Sequence, residues 1–466
     1  MAILSDNGFP TFLFQCKTID PAYVQPREII DQPFIRKFAE ALQTNNRLLV
    51  VKSRQMMASW IGCAYLIYRA ATDGPGIHLI VSKEERSAKI LIDRVRFLID
   101  QHPDKEWAES VRCYSGTVAF PELGSRIISL PAAPYAVRGL SPQTVFWDEM
   151  AFTPNDEEIW AAIKPAVDSG GAFFGVSTPN GPSGVFARLV HSEEPGFTVF
   201  RIHYKDNPER DSQWEASARI GLSQSRWRCE YELSFEGGEG KVYDQFEETI
   251  HLLDQSYFPC RLPDGHLYRG IDFGYRHPAA VWAEYGENGV LTFFHCLVGD
   301  RLPLDQFVQE IRAVDAQYGI SEKDFTFTAV DPAGAAKTDQ GISPVEALLA
   351  AGFKLTWSQS SIAAGIEVVR MLLRDAGGNV RLKVDRRCGA LIRGFQGYTW
   401  APDGELPVKD GIHDHPMDAL RYLAVNLHRA QHRLPDLTPL IQGLAPPPHC
   451  NPMITGIRLQ ASGFRK

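Results

Sequence analysis

The sequence predicts an α/β chain in two parts, a mostly parallel sheet followed by a mixed one. Three observations carry this. From about Arg47 to Tyr204, apolar strand-length runs alternate with helix-length segments. From Leu267 a new strand pattern begins, broken by Asn288-Gly289, the strongest short hairpin signal. Between them, Lys205 to about Leu262 has weak periodicity and mixes charged and aromatic residues with Gly237-Gly238 and Gly240. A length of 466 residues suggests about three units. The division expected is a first domain over 1–205, a linking segment over 206–262, a second domain over 263–430 and a flexible tail over 431–466.

In the first part, Arg47–Val51, His78–Val81, Arg126–Leu130, Thr144–Trp147, Ala172–Val176 and Phe197–His203 are apolar runs of strand length. Met57–Ala70, Glu84–Asp100 and Asp156–Val167 have helical periodicity. In the second, Tyr268–Phe273, Ala279–Tyr285 and Val290–Val298 form three strands. A helix (Pro303–Tyr318), a strand (Phe325–Val330) and another helix (Ile362–Ala376) follow. That order is the layout of an RNase H-like domain. The tail has Pro446-Pro447-Pro448 and no clear period.

Composition narrows the function classes. With 44% hydrophobic and 22% charged residues the chain reads as an ordinary globular enzyme. A net charge of −8 argues against indiscriminate coating of nucleic acid but leaves room for local basic tracks. No apolar run is long enough to span a bilayer, and Met1–Asp6 lacks a signal-peptide pattern. The eight cysteines include no C-x-x-C pair, so zinc-site spacing is absent.

On an open parallel sheet, ligands bind at the carboxyl ends of strands, and the notable polar residues follow strands here. Val50-Val51-Lys52-Ser53-Arg54-Gln55-Met56-Met57-Ala58-Ser59 stands between a strand and a helix, where a phosphate loop belongs. The G-x-x-x-x-G-K-[ST] pattern fails, because Met57 takes the second glycine's place and Ala58 the lysine's. Lys52 at the loop's start can still reach back to the β- and γ-phosphates. Ser59 supplies a Mg²⁺-binding hydroxyl, and the helix that follows offers free N–H groups to an anion. Val145-Phe146-Trp147-Asp148-Glu149 delivers two adjacent acids at a strand end. Asp148 is assigned to the Mg²⁺ shell and Glu149 to polarising the attacking water. Ser177-Thr178 on a neighbouring strand could sense the γ-phosphate, or simply form a strand-ending turn. Arg138 and Arg54 are candidate arginine fingers, Arg138 the better one, acting within the chain or from a neighbouring subunit.

A second acidic set follows. Asp272 lies in the first strand of the second part, Asp331 ends the later strand, and Asp418 stands in the first turn of a helix opened by His413-Asp414-His415-Pro416. Acids gathered from distant elements repel unless cations neutralise them, which implies two Mg²⁺ or Mn²⁺ ions suited to phosphodiester cleavage. Singly, Asp418 could serve the helix dipole, Asp414 could cap the helix and Asp331-Pro332 could be a turn. Asp414 is a secondary candidate ligand, and His413 and His415 stay outside the core site. Arg370, Arg374, Arg381, Lys383, Arg386, Arg387 and Arg393 form a plausible phosphate track.

The Lys-Ser-Arg-Gln loop (Lys52, Ser53, Arg54, Gln55), Arg138-Gly139 upstream of Asp148-Glu149-Met150-Ala151-Phe152, and Ser177-Thr178-Pro179-Asn180-Gly181 together resemble the ATPase half of a large terminase subunit of tailed bacteriophages. Asp418-Ala419-Leu420-Arg421-Tyr422 resembles the helix that carries the third acid of the nuclease half. The resemblance covers about Pro26 to Arg429. It implies a P-loop (ASCE-type) ATPase domain with a mostly parallel sheet, then an RNase H-like nuclease domain with a mixed sheet. It also implies ATP as the cofactor, Ser177-Thr178-Pro179 as the coupling motif, and ATP-driven translocation of double-stranded DNA into a procapsid with metal-dependent cleavage. Implied partners are a portal protein, a small terminase subunit and further copies in a ring, in the cytoplasm of an infected host and transiently on the portal. The rival expectations are a helicase–nuclease of repair or restriction and a non-catalytic DNA-binding protein with a decayed ATP site.

Overall fold

The computed structural model describes residues 8–19, 25–192, 196–236, 240–259, 266–274, 277–336, 342–401 and 406–431. The flexible tail expected over 431–466 lies, from residue 432 on, outside the described residues. A short antiparallel pair, β1 (Lys17–Thr18) and β2 (Arg27–Glu28), precedes two large sheets.

The first sheet holds β3 (Arg47–Lys52), β4 (Gly76–Ser82), β5 (Arg112–Tyr114), β6 (Thr117–Phe120), β7 (Ser125–Pro131), β8 (Thr144–Asp148), β9 (Ala172–Ser177) and β10 (Thr198–Ile202). Its order is β10-β3-β9-β8-β4-β7-β6-β5, parallel from β10 to β7 with an antiparallel edge. The parallel strands bury both faces, so they read as continuous apolar runs. In β3, Leu48 and Val50 join one core while Leu49 and Val51 join the other. Helices Pro33–Thr44, Ala58–Thr72 and Glu85–Asp100 cover the first face; Asp156–Asp168 and Gly184–His191 cover the second. Because β9 lies between β3 and β8, the loop after β3 and the acids after β8 flank a gap at the carboxyl edge. That is the P-loop, ASCE-type order the resemblance implies.

The second sheet holds β11 (His266–Asp272), β12 (Ala279–Tyr285), β13 (Leu291–Val298), β14 (Phe325–Val330), β15 (Leu355–Thr356) and β16 (Leu382–Val384), in the order β15-β14-β11-β12-β13-β16. Strands β11, β12 and β13 are antiparallel neighbours, while β14 runs parallel to β11. This mixed sheet is the RNase H-like arrangement expected. The expected hairpin joins β12 to β13, with Gly289 at φ +75 donating to Gly286 O. Helix Asp414–Gln431 packs directly on β11, and Gly270 is the reason it can. A Cβ there would lie 2.2 Å from the carbonyl oxygen of Ala419. One strand position before it, Arg269 is fully buried, bonded to Asp315 (2.7 Å), Glu322 (2.6 Å) and Thr328 (3.0 Å) and stacked between Phe325 and Phe353.

The stretch after β10 carries more structure than its weak periodicity suggests. Helices Ser212–Arg219, Gln224–Glu230 and Glu248–His251 lie within it. Tyr204, Trp227 and Tyr231 form a small core that also takes Ala376, which follows helix Ile362–Leu373. No helix among the described residues is long and apolar enough to cross a membrane.

Candidate functional site

Two acidic sites stand at strand ends, one on each sheet. At the first, β8 delivers Asp148, 5% exposed, and the chain turns sharply: Glu149 has φ +50, in the left-handed region. Ser59, in the first turn of its helix, donates to both carboxylate oxygens of Asp148, at 3.1 and 2.9 Å. Lys52 ends β3 nearly buried and pairs with Glu149 at 3.0 Å. Burial first, and then the charge of Glu149, push the Asp148 carboxyl up to about 6; Lys52 and the Ser59 bond pull the other way. Lys52, Ser59, Asp148 and Glu149 are thus brought together.

The loop itself is built without its usual glycine. Gln55 and Met57 adopt φ +58 and +61, a region that costs a side-chain-bearing residue roughly 1–2 kcal/mol. Met57 therefore takes the backbone shape a glycine would supply, and its side chain packs against the first core. The following stretch ties the loop down. The Ser53 hydroxyl accepts from Tyr204 N (2.8 Å) and donates to Tyr231 O (2.6 Å), so it belongs to the loop's floor. Arg54 forms a two-pronged pair with Glu230 (2.9 and 2.8 Å), and Arg210 donates to the carbonyls of Arg54 and Gln55. Ser177 accepts from Ala151 N at 3.1 Å, and Asn180 donates to Ala151 O at 3.0 Å. The end of β9 therefore holds the turn that carries Glu149. Thr178, buried, is the next residue.

Arg138 stands elsewhere. It lines a cavity of about 950 Å³ with Arg69, Asp73, Gln143, Ser169 and Gly171, at the amino ends of β8 and β9. Lys52, Ser59, Asp148 and Glu149 line the opposite edge, so this geometry brings Arg138 to none of them within one chain.

The second site is a cavity of about 470 Å³ whose lining includes Asp272, Asp331, Asp414, His415, Asp418 and Lys409. The three acids singled out by sequence therefore share one space. Each has a donor. Asp272 Oδ2 receives His415 Nδ1 at 2.8 Å and Gly274 N at 3.2 Å. Asp331 Oδ1 accepts from Ala333 N at 2.9 Å, as a turn residue would. Asp418 Oδ1 accepts from buried Arg421, at 2.8 and 3.2 Å. Burial raises the Asp272 carboxyl above its usual range, the charges of Asp418 and Asp331 add to that, and the His415 bond opposes it. In return Asp272 holds the His415 imidazole above its ordinary value. Among the described residues, no three His, Cys, Asp or Glu converge on one point as a formed metal site.

His415 is the residue sequence reasoning left out. Its signal is Gly274: a Cβ there would sit 2.4 Å from the His415 ring, so the glycine two residues after Asp272 makes room for it. The expected phosphate track needs correction. Arg370 donates to Val242 O, Arg386 to Leu253 O and Lys383 to Ile250 O, while Arg374 pairs with Glu247, Arg381 with Asp375 and Arg387 with Asp385. These six of the seven bind the chain itself: Arg370, Arg374, Lys383, Arg386 and Arg387 hold the 242–257 stretch that lies across them, and Arg381 holds nearby Asp375.

No family model matches the chain. It is 26% identical over 374 residues to the curated "Terminase, large subunit" of Escherichia phage T5, covering 76% of this chain and 80% of that protein. Among solved structures it is similar to the large terminase of the thermophilic bacteriophage D6E, at 17% identity and a TM-score of 0.49 over 83% of this chain and 95% of that one. It is likewise similar to the HK97 bacteriophage large terminase, at 14% identity and a TM-score of 0.41 over 89% and 98%. The resemblance carried by the two acidic motifs thus extends across three quarters of the chain: in sequence, it is similar to a bacteriophage large terminase subunit.

Proposed function

We propose that the chain is an ATP-driven motor that translocates double-stranded viral DNA into a procapsid and cuts concatemeric DNA with a metal-dependent endonuclease. One observation carries this: two separate acidic sites at strand ends of two differently built sheets, on a chain similar to the phage T5 large terminase subunit. The proposed division is an ATPase domain over 1–205, a linking segment over 206–262 and a nuclease domain over 263–430.

At the first site Lys52, released from Glu149, would take the β- and γ-phosphates of ATP. Ser59 and Asp148 would hold Mg²⁺, and Glu149, freed by the same exchange, would orient the attacking water. Arg54 is held by Glu230, and Arg138 faces another edge, so a finger role for Arg138 requires a neighbouring copy's site. Ser177 and Thr178 would report phosphate loss through the turn that carries Glu149.

At the second site the donors are carboxylates, the chemistry of a hard divalent cation. Asp414 Oδ1 is buried with no hydrogen-bond partner, a place such a cation fits. Asp272, Asp331 and Asp418 would hold Mg²⁺ or Mn²⁺, which supplies charge stabilisation and an activated water for phosphodiester cleavage. His415 orients Asp272, and Arg421 orients Asp418. The expected setting is a host cytoplasm and a portal-bound ring of copies, with a portal protein and a small terminase subunit as partners.

The test is plasmid linearisation by the purified chain with Mn²⁺, alongside DNA-stimulated ATP turnover. Asp272→Ala should abolish cutting and leave ATP hydrolysis within about twofold of the parent. Loss of both activities would refute two independent centres.

A further inference from the structure

We infer that the loop Lys409–His413, at the mouth of the second cavity, grips DNA: the Lys409 ammonium holds a backbone phosphate beside the cut, and Ile412 wedges into the adjoining base step. The inference rests on the nuclease reading of that cavity. The depth of the acids sets the problem. Asp272 and Asp418 are only 5% and 9% exposed, so a phosphodiester that reaches them has to bow inward from the outline of a regular duplex. Bending and unstacking DNA is costly, and proteins that do it combine cations on the backbone with an apolar side chain inserted between bases.

The cavity mouth carries both parts. Lys409 lines the space together with Asp272, Asp331, Asp414 and Asp418, yet among the described residues it forms no ion pair with any of them. Asp272, Asp331 and Asp418 take their donors from His415, Ala333 and Arg421 instead. An ammonium left over beside these acids is available to an incoming phosphate, which it holds as a point charge without reading sequence. Three residues on, Ile412 is 64% exposed, although its backbone is fixed. Asp410 Oδ1 accepts from Ile412 N and His413 N at 2.8 Å each, and Asp410 Oδ2 lies 2.6 Å from His413 Nδ1. Gly411 supplies a left-handed φ of +72. The His413 ring is seated on Gly397, where a Cβ would lie 2.6 Å from Nε2. Single exposed apolar side chains are commonplace, but this one is held rigidly between Lys409 and Asp414, which both line the cavity. Its exposure gains nothing for the free chain, whereas an opened base step would cover it.

The test measures Mn²⁺-dependent cutting by the full chain on two probes, a linear duplex and the same duplex with a short mismatched bubble. Lys409→Ala should raise KM on the duplex about tenfold with kcat within about twofold of the parent. Its KM should also depend less steeply on salt, by about one unit of the log–log slope, and Lys409→Arg should restore that slope. Ile412→Ser should lose about tenfold on the paired duplex and much less on the bubble, where the step is already open. Calorimetric Mn²⁺ binding should stay at the parental level in both variants, which also reports that each is folded. Parental KM and salt slope in Lys409→Ala, or equal losses on duplex and bubble in Ile412→Ser, overturn the inference while the nuclease reading stands. Weakened Mn²⁺ binding in Lys409→Ala overturns it too, because the amine would then serve the acids and not the DNA. A parent chain that cuts neither probe overturns the nuclease reading and this inference with it.

Discussion

Replacing Asp148 by asparagine should make the nucleotide-free chain more stable, which is the opposite of what removing a buried hydrogen-bonded acid usually does. Asp148 ends β8 at 5% exposure, beside Glu149 and under the Ser59 hydroxyl. Burial and the neighbouring charge lift its carboxyl from an ordinary 3.8 to about 6. The sign follows from proton linkage. Between those values the folded chain binds the proton more tightly than the unfolded one. The stability this group contributes is therefore complete below about 3.8 and lost as the pH rises through about 6. At about 1.4 kcal/mol for each pH unit, the loss at pH 7.5 is about 3 kcal/mol. Asparagine carries no charge and keeps one acceptor for Ser59, so Asp148→Asn should gain about 2–3 kcal/mol at pH 7.5. That gain should fade toward zero near pH 4. Urea unfolding of parent and variant across this range, without nucleotide or divalent metal, measures it. A variant less stable than its parent at pH 7.5, or a gain that ignores pH, would refute the account of Asp148 as an acid held at a thermodynamic cost.

Two further outcomes can be read from unfolding curves. Gln55 is exposed with φ +58, so Gln55→Gly should stabilise by about 0.5–1 kcal/mol in urea. Met57→Gly should gain little, because its side chain also packs on the first core; a clear loss in Gln55→Gly would show the loop unstrained. Arg269→Met should cost about 3–5 kcal/mol, because buried Asp315 would lose its cation beside an apolar side chain, while part-buried Glu322 keeps only Arg312. A change under about 1 kcal/mol would mean Asp315 finds a proton or water at little expense.

The two sheets and their acids were legible because both signals are local. Thr144–Asp148 and Phe325–Val330 are apolar runs that stop at an acid, and Asn288-Gly289 announces its own hairpin. Strands β11, β12 and β13 follow in order from the same local pattern, β14 falls beside β11 through the RNase H-like layout, and the short edge strands β15 and β16 gave no signal. Other features were not legible, since they rest on contacts far apart in sequence. Arg370 and Val242, or Arg386 and Leu253, are more than a hundred residues apart, and nothing in a basic run tells whether its charges face solvent or a crossing segment. His415 was hidden for the same reason: its partner, Asp272, stands on a distant strand. The antiparallel edge of β5 and β6 escaped notice because those strands are only three and four residues long.

The ties between the phosphate loop and the stretch after β10 bear on where the chain can be cut. A fragment ended at residue 205 would deprive Ser53 of Tyr231, and Arg54 of Glu230. It would also strip Tyr204, wholly buried in the intact chain, of the Trp227 and Tyr231 rings that cover it. Any autonomous front half therefore has to run on to about Glu236. Even then it gives up Ala376 and the bond from Gln224 N to Arg374 O, through which the rear half grips the same helices.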